Sequence, residues 1–164
     1  MSVGTYPNRD PQLMLDLARD QLSVQLAAGD AADAKLSGLI GWGAGAPGIL
    51  AAVLALKPAS FHGLEIISLA LVVVTYSVLA VIVFLALSRK SWNLGPKMDQ
   101  VWDDHFALTE RQLRWETARD LWSYYDDNRP THDRKMKAVR KALALVMLET
   151  AALVIGLILV AAGV

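Results

Sequence analysis

Apolar residues in this chain run in three blocks, at about 39–56, 66–87 and 142–164, which hold almost no formal charge. The charged residues crowd into 1–38 and 88–141. A helix needs about 20 apolar residues to cross a hydrocarbon core, and the second and third blocks meet that length. The second, IISLALVVVTYSVLAVIVFLAL, is rich in β-branched residues, yet in lipid only a helix satisfies its own backbone. The first, LIGWGAGAPGILAAVLAL, is shorter and carries Pro47 and several glycines. A brief connection joins it to an unambiguous span, so the two read as a transmembrane hairpin. The predicted fold class is all-α: an integral membrane protein with three transmembrane helices and helical polar extensions.

The polar segments carry helical signals of their own. Asp10 before Pro11 is an N-cap followed by a proline suited to the first helical position. Leu15, Leu22 and Leu26, flanked by Leu13 and Leu17, repeat at helical spacing, and Gly29 weakens the pattern locally. Thr109 and Gln112 have the form of a capping box. Trp102, Phe106, Leu113, Leu121, Trp122 and Tyr125 then supply an aromatic and apolar face. Asn128-Arg129-Pro130 predicts an end to that helix, because proline removes a donor and biases its predecessor away from helix. A last helix starting at Thr131 or Asp133 would pass into the third span. The division expected is 1–37, an amphipathic N-terminal helix; 38–87, the hairpin with spans at about 39–56 and 66–87; 88–141, a second helical segment; and 142–164, the third span.

Charge orients the arrangement. The connection at 57–65 has one lysine, whereas 88–141 has twelve Lys and Arg residues and the N-terminal region has Arg9, Arg19 and Lys35. Lys and Arg mark the cytoplasmic side, so the N-terminus and 88–141 are expected in the cytoplasm and the C-terminus outside. The opening MSVGTYPNRDPQLMLDLARD has no early apolar run and is not a secretory signal; the first span would be its own insertion signal. Trp92, just below the second span, is expected as an interfacial anchor.

Composition narrows the chemistry. Formal net charge is zero, which gives no basic field for a nucleic-acid polymer. There is no cysteine, so disulfides, thiolate catalysis and cysteine metal sites are excluded. His62, His105 and His132 form no ligand pattern; Asp103-Asp104-His105 are consecutive, and consecutive helical side chains diverge. No phosphate loop, nucleophile elbow or HExxH pair is present. The chain is expected to be no enzyme and to hold no metal or cofactor.

Two intramembrane features stand out. Gly41 and Gly45 form GxxxG, which Gly48 extends, a small-residue face for close helix packing within the chain or between copies. Pro47 adds an expected kink. Glu149, with Thr150 beside it, lies eight residues into the third span, about 12 Å along the helix. An ionisable group there faces protein interior or water. It would bridge two helices or line a pore in a homo-oligomer. The basic run DRKMKAVRK below it suits lipid head groups.

The segment DAADAKLSGLIGWGAG, leading into a hairpin, resembles the opening of the small transmembrane effectors of bacterial Pycsar antiphage systems, to which SLATT-type effectors are related. Those begin with Asp-x-Lys-small at the base of the first span, here Asp33-Ala34-Lys35. They close with a polar helix, a lysine-containing stretch and a last span, here DLWSYYDDNRPTHDRKMKAVRKALALVMLETAALVIGL. The resemblance covers about residues 15–162. It implies a homo-oligomeric effector in the bacterial inner membrane that impairs membrane integrity in response to a cyclic pyrimidine nucleotide. A nucleotide needs cations for its phosphate and an aromatic face for its base; Arg129, Arg134 and Lys135 near Trp122 and Tyr125 are the candidates. The alternatives are a non-conducting accessory or structural subunit, or a small ion channel subunit.

Overall fold

The computed structural model describes residues 10–56, 63–88, 92, 94 and 108–162. Among them it is all-helical, in three helices: α1 (Pro11–Ala55), α2 (Gly63–Ser88) and α3 (Glu110–Ala162). Each is long and apolar enough over part of its length to cross a membrane. Such a set of spans makes this a multi-pass membrane protein. Trp102, Phe106 and the Asp103-Asp104-His105 run lie outside the described residues.

The predicted caps form. Asp10 Oδ1 accepts from the Gln12 amide at 2.9 Å, and α1 starts at Pro11. At α3 the Thr109 amide donates to Gln112 Oε1 at 3.0 Å while the Gln112 amide donates to Thr109 Oγ1 at 3.4 Å. Two amides that the helix start leaves orphaned are thus satisfied reciprocally.

The expected break at Pro130 is overturned: α3 runs through it without interruption. Pro130 removes one amide donor, from the carbonyl of Asp126. Both residues are exposed, so water can take over at that carbonyl. The helix is held instead by its buried side. α1 likewise runs through Gly29 and Pro47.

That buried side follows a seven-residue repeat. On α1 the buried positions are Leu15, Leu22, Gly29, Leu36, Gly43 and Leu50, interleaved with Ala18, Gln25, Ala32 and Ala46. On α2 they are Glu65, Val72 and Leu79, interleaved with Ser68 and Thr75. On α3 they are Leu121, Asn128, Lys135, Ala142, Glu149 and Gly156. Buried Leu54, Val83 and Ala152 fall outside that register; the repeat of seven itself is the spacing of helices that supercoil left-handedly with side chains interlocked.

The residues divide into two compact units, one from Met1–Asp30 and Ser91–Asp133, the other from Ala31–Lys90 and Arg134–Val164. The first, the polar unit, packs Leu15, Ala18 and Leu22 of α1 on Ala118 and Leu121 of α3, with Met14, Leu26, Tyr124 and Tyr125 around them. Leu13 and Leu17 face outward. Gln25 Nε2 donates to the Tyr125 carbonyl at 3.1 Å. Trp92, expected at the interface, is half-buried with its ring against Gly29, where an added Cβ would lie 2.5 Å from the ring. Only glycine leaves room for that ring.

The second, the span unit, holds two cores. Leu36, Leu79, Val83, Ala142 and Val146 form one; Ala46, Leu50, Leu54, Val72 and Ala152 form the other. Its outer surface is apolar: Trp42, Ile67, Val74, Phe84, Met147 and Ile158 are all more than half exposed. Its interior contains Glu65, Ser68, Thr75, Lys135 and Glu149. Apolar side chains outward and polar ones inward is the arrangement lipid selects.

Candidate functional site: polar groups inside the span unit

Two polar contacts and one unpartnered carboxyl mark the interior of the span unit. At one, Lys135 Nζ donates to both carboxylate oxygens of Asp33, at 2.7 and 2.6 Å. The Lys135 side chain is 3% exposed and that of Asp33 25%. Asp33 stands a helical turn before Leu36 on α1, and Lys135 seven residues before Ala142 on α3, so the pair ties the two helices together. The Asp-x-Lys element therefore engages a lysine 102 residues away, while its own Lys35 is exposed.

At the second, Ser68 Oγ of α2 donates to the Ala152 carbonyl of α3 at 3.1 Å. Gly156 makes that approach possible: a Cβ there would lie 2.5 Å from Ser68 Oγ and 3.1 Å from Leu50. Glu65 is fully buried in the first turn of α2, an end of a helix that favours a carboxylate. Three further hydroxyls bond their own helices, Thr75 to Leu71, Ser77 to Val73 and Thr150 to Val146. Thr150 faces outward, so it does not share the setting of Glu149.

The unpartnered carboxyl is that of Glu149. Its side chain is 1% exposed and neither carboxylate oxygen has a hydrogen-bond partner. It lies against Gly43 of α1, where an added Cβ would be 2.8 Å from Glu149 Oε2, 2.8 Å from Leu79 and 3.4 Å from Tyr76. Gly43 thus provides the space the carboxyl occupies. Gly41, Gly45 and Gly48 play no such part. They are exposed, with nothing within 4 Å of a Cβ built on any of them, and Gly38 is the same. Among the described residues, the glycines that pack within the chain are Gly29, Gly43 and Gly156. The signal that finds them is the repeat of seven, not the GxxxG spacing.

The candidate nucleotide residues divide between the units. Trp122, Tyr125 and Arg129 are in the polar unit, at positions three and four apart on one helix face. Trp122 is 44% exposed, its ring 5.6 Å from that of Tyr125 and tilted by 36°; Arg129 is exposed. Arg134 and Lys135 belong to the span unit. Arg134 is exposed, and the ammonium of Lys135 is held by Asp33. Among the described residues, no group of three His, Cys, Asp or Glu converges on a point.

No family model, curated protein or solved structure matches this chain.

Proposed function

We propose that this chain is a membrane effector of bacterial antiphage defence, which self-associates in the inner membrane and impairs its integrity on a cyclic pyrimidine nucleotide signal. The observation that carries this reading is the outward glycine row of α1, at Gly38, Gly41, Gly45 and Gly48. Each glycine inside a helix costs roughly 0.5–1 kcal/mol relative to alanine. The interior glycines repay that cost within the chain by admitting Trp92, Glu149 and Ser68. The outward row repays it only when another helix lies on it, and in lipid close backbone approach is what drives helices together. The occupant proposed is a second copy of α1. The Asp33-Ala34-Lys35 element at the base of the first span supports the antiphage assignment, with the N-terminus in the cytoplasm.

For the signal, the Trp122–Tyr125 pair offers an aromatic face and Arg129 a nearby cation. Lys135 is engaged by Asp33, so the nucleotide reading rests on the other three with Arg134 as a separate cation.

The test is induction in a bacterium with and without a pyrimidine nucleotide cyclase, followed with a membrane-potential dye. Depolarisation that needs the cyclase is expected, and Gly41→Leu with Gly45→Leu should abolish it while the protein still folds and inserts. Arg129→Ala should raise the signal required. Harmless expression in both strains refutes the effector reading and favours a non-conducting accessory subunit. Depolarisation without the cyclase favours a constitutive channel.

A further inference from the structure

Pro47 and Glu149 are on different helices, and both bear on Gly43. In α1 the carbonyl of residue 43 would accept from the amide of residue 47, and proline has no amide hydrogen. The Gly43 carbonyl is therefore left without its intrahelical donor inside the span unit. Proline persists in membrane helices where a neighbouring helix supplies the missing bond. At Gly43 the neighbour is Glu149, whose carboxyl sits 2.8 Å from the position a Cβ would take and whose two oxygens find no donor. An ionised carboxylate cannot donate a hydrogen bond, and a protonated one can.

We propose that Glu149 is a proton-binding site: the carboxyl carries its proton within the membrane and donates it to the Gly43 carbonyl, locking α3 to α1. Two shortages, a carbonyl lacking a donor and a carboxyl lacking a counter-ion, are resolved by one proton. The surroundings agree. Around the position a Gly43 Cβ would take lie the Glu149 carboxyl and, from α2, Leu79 and Tyr76. Tyr76 is the other titratable group among them. The basic residues of α3 end at Lys141, eight positions earlier and about 12 Å along the helix. Lys135 is committed to Asp33. The ligand is the proton, so the inference stands whether or not a nucleotide triggers the protein.

Removing the proton leaves an uncompensated charge among apolar side chains and strips the Gly43 carbonyl of its donor. Glu149→Gln keeps an amide donor and removes the titration.

The experiment is infrared spectroscopy of the full chain in lipid bilayers at neutral pH. A protonated-carboxyl band is expected, absent in Glu149→Gln, and unchanged in Tyr76→Phe. Pro47→Ala returns an amide to the Gly43 carbonyl and should shift the band to that of a more weakly bonded acid. In detergent, Glu149→Ala should lower the thermal midpoint by several degrees, and Pro47→Ala in that background should recover most of the loss. Identical spectra for the wild type and Glu149→Gln would overturn the proposal. So would bleaching of the band by added sodium at fixed pH, which would make the site one for a metal cation. Should Glu149→Gln not fold, Pro47→Ala in the otherwise unaltered chain still decides: an unmoved band overturns the bond to Gly43.

Discussion

The two units use one packing rule toward opposite ends. In both, buried positions recur every seven residues. In the polar unit they are chiefly apolar, Leu15, Leu22 and Leu121, with water-facing positions such as Asp20, Arg119 and Asp126 between them. In the span unit the same register brings Glu65, Ser68, Thr75, Lys135 and Glu149 into the interior, with Asp33 beside it, while Val74, Phe84 and Ile155 face out. Water drives the first by expelling apolar surface. Lipid offers no such drive, so the second relies on close backbones, hydrogen bonds and an ion pair.

The comparison is broken most severely at the buried ion pair. Asp33→Asn takes the carboxylate charge from beside the Lys135 ammonium, and the span unit should lose about 4 kcal/mol. Adding Lys135→Met should recover most of that loss, as read by thermal unfolding in detergent.

Next comes the apolar core of the polar unit. Leu22→Ala should cost about 3 kcal/mol, with hydrogen exchange rising in residues 11–30 and 110–133 and the span unit retaining its protection. Exchange that rises equally in both units would show that they do not open separately.

A smaller effect separates the two kinds of glycine. Gly43→Ala places a methyl against Glu149 and Leu79 and should destabilise the span unit by about 2 kcal/mol. Gly45→Ala meets open space and should leave the monomer as stable or slightly more so. Smallest is the cap: Thr109→Ala removes the hydroxyl that accepts from the Gln112 amide, costing about 1 kcal/mol and fraying the first turn of α3 by circular dichroism.

The contrast between the two glycine sets also shows what the sequence could convey. Three apolar blocks free of lysine and arginine are a local signal, and so are Asp10-Pro11 and Thr109 with Gln112; all three spans and both caps were legible. Pro130 signals a helix end because its local effect is real, one lost bond, yet the buried residues on either side of it outweigh that loss and α3 continues. Gly41 and Gly45 stand at a four-residue spacing that says helices can approach there, not which helix does. Gly43 falls on the repeat of seven with Leu36 and Leu50, but what it makes room for, Glu149 and Tyr76, lies on other helices. The Asp33–Lys135 pair is similar: each residue is unremarkable where it stands, and their meeting depends on α1 and α3 packing in register.

The central claim, that the span unit turns its apolar face to lipid and its polar groups inward, can be tested directly because the chain contains no cysteine. Single cysteines at Val74 and Ile155, outward on α2 and α3, and at Val24, outward in the polar unit, would each carry a nitroxide label in proteoliposomes. Collision with oxygen, which concentrates in lipid, should exceed collision with a water-soluble nickel complex at Val74 and Ile155, and the order should reverse at Val24. Nickel collision at Val74 and Ile155 as frequent as at Val24 would contradict the account.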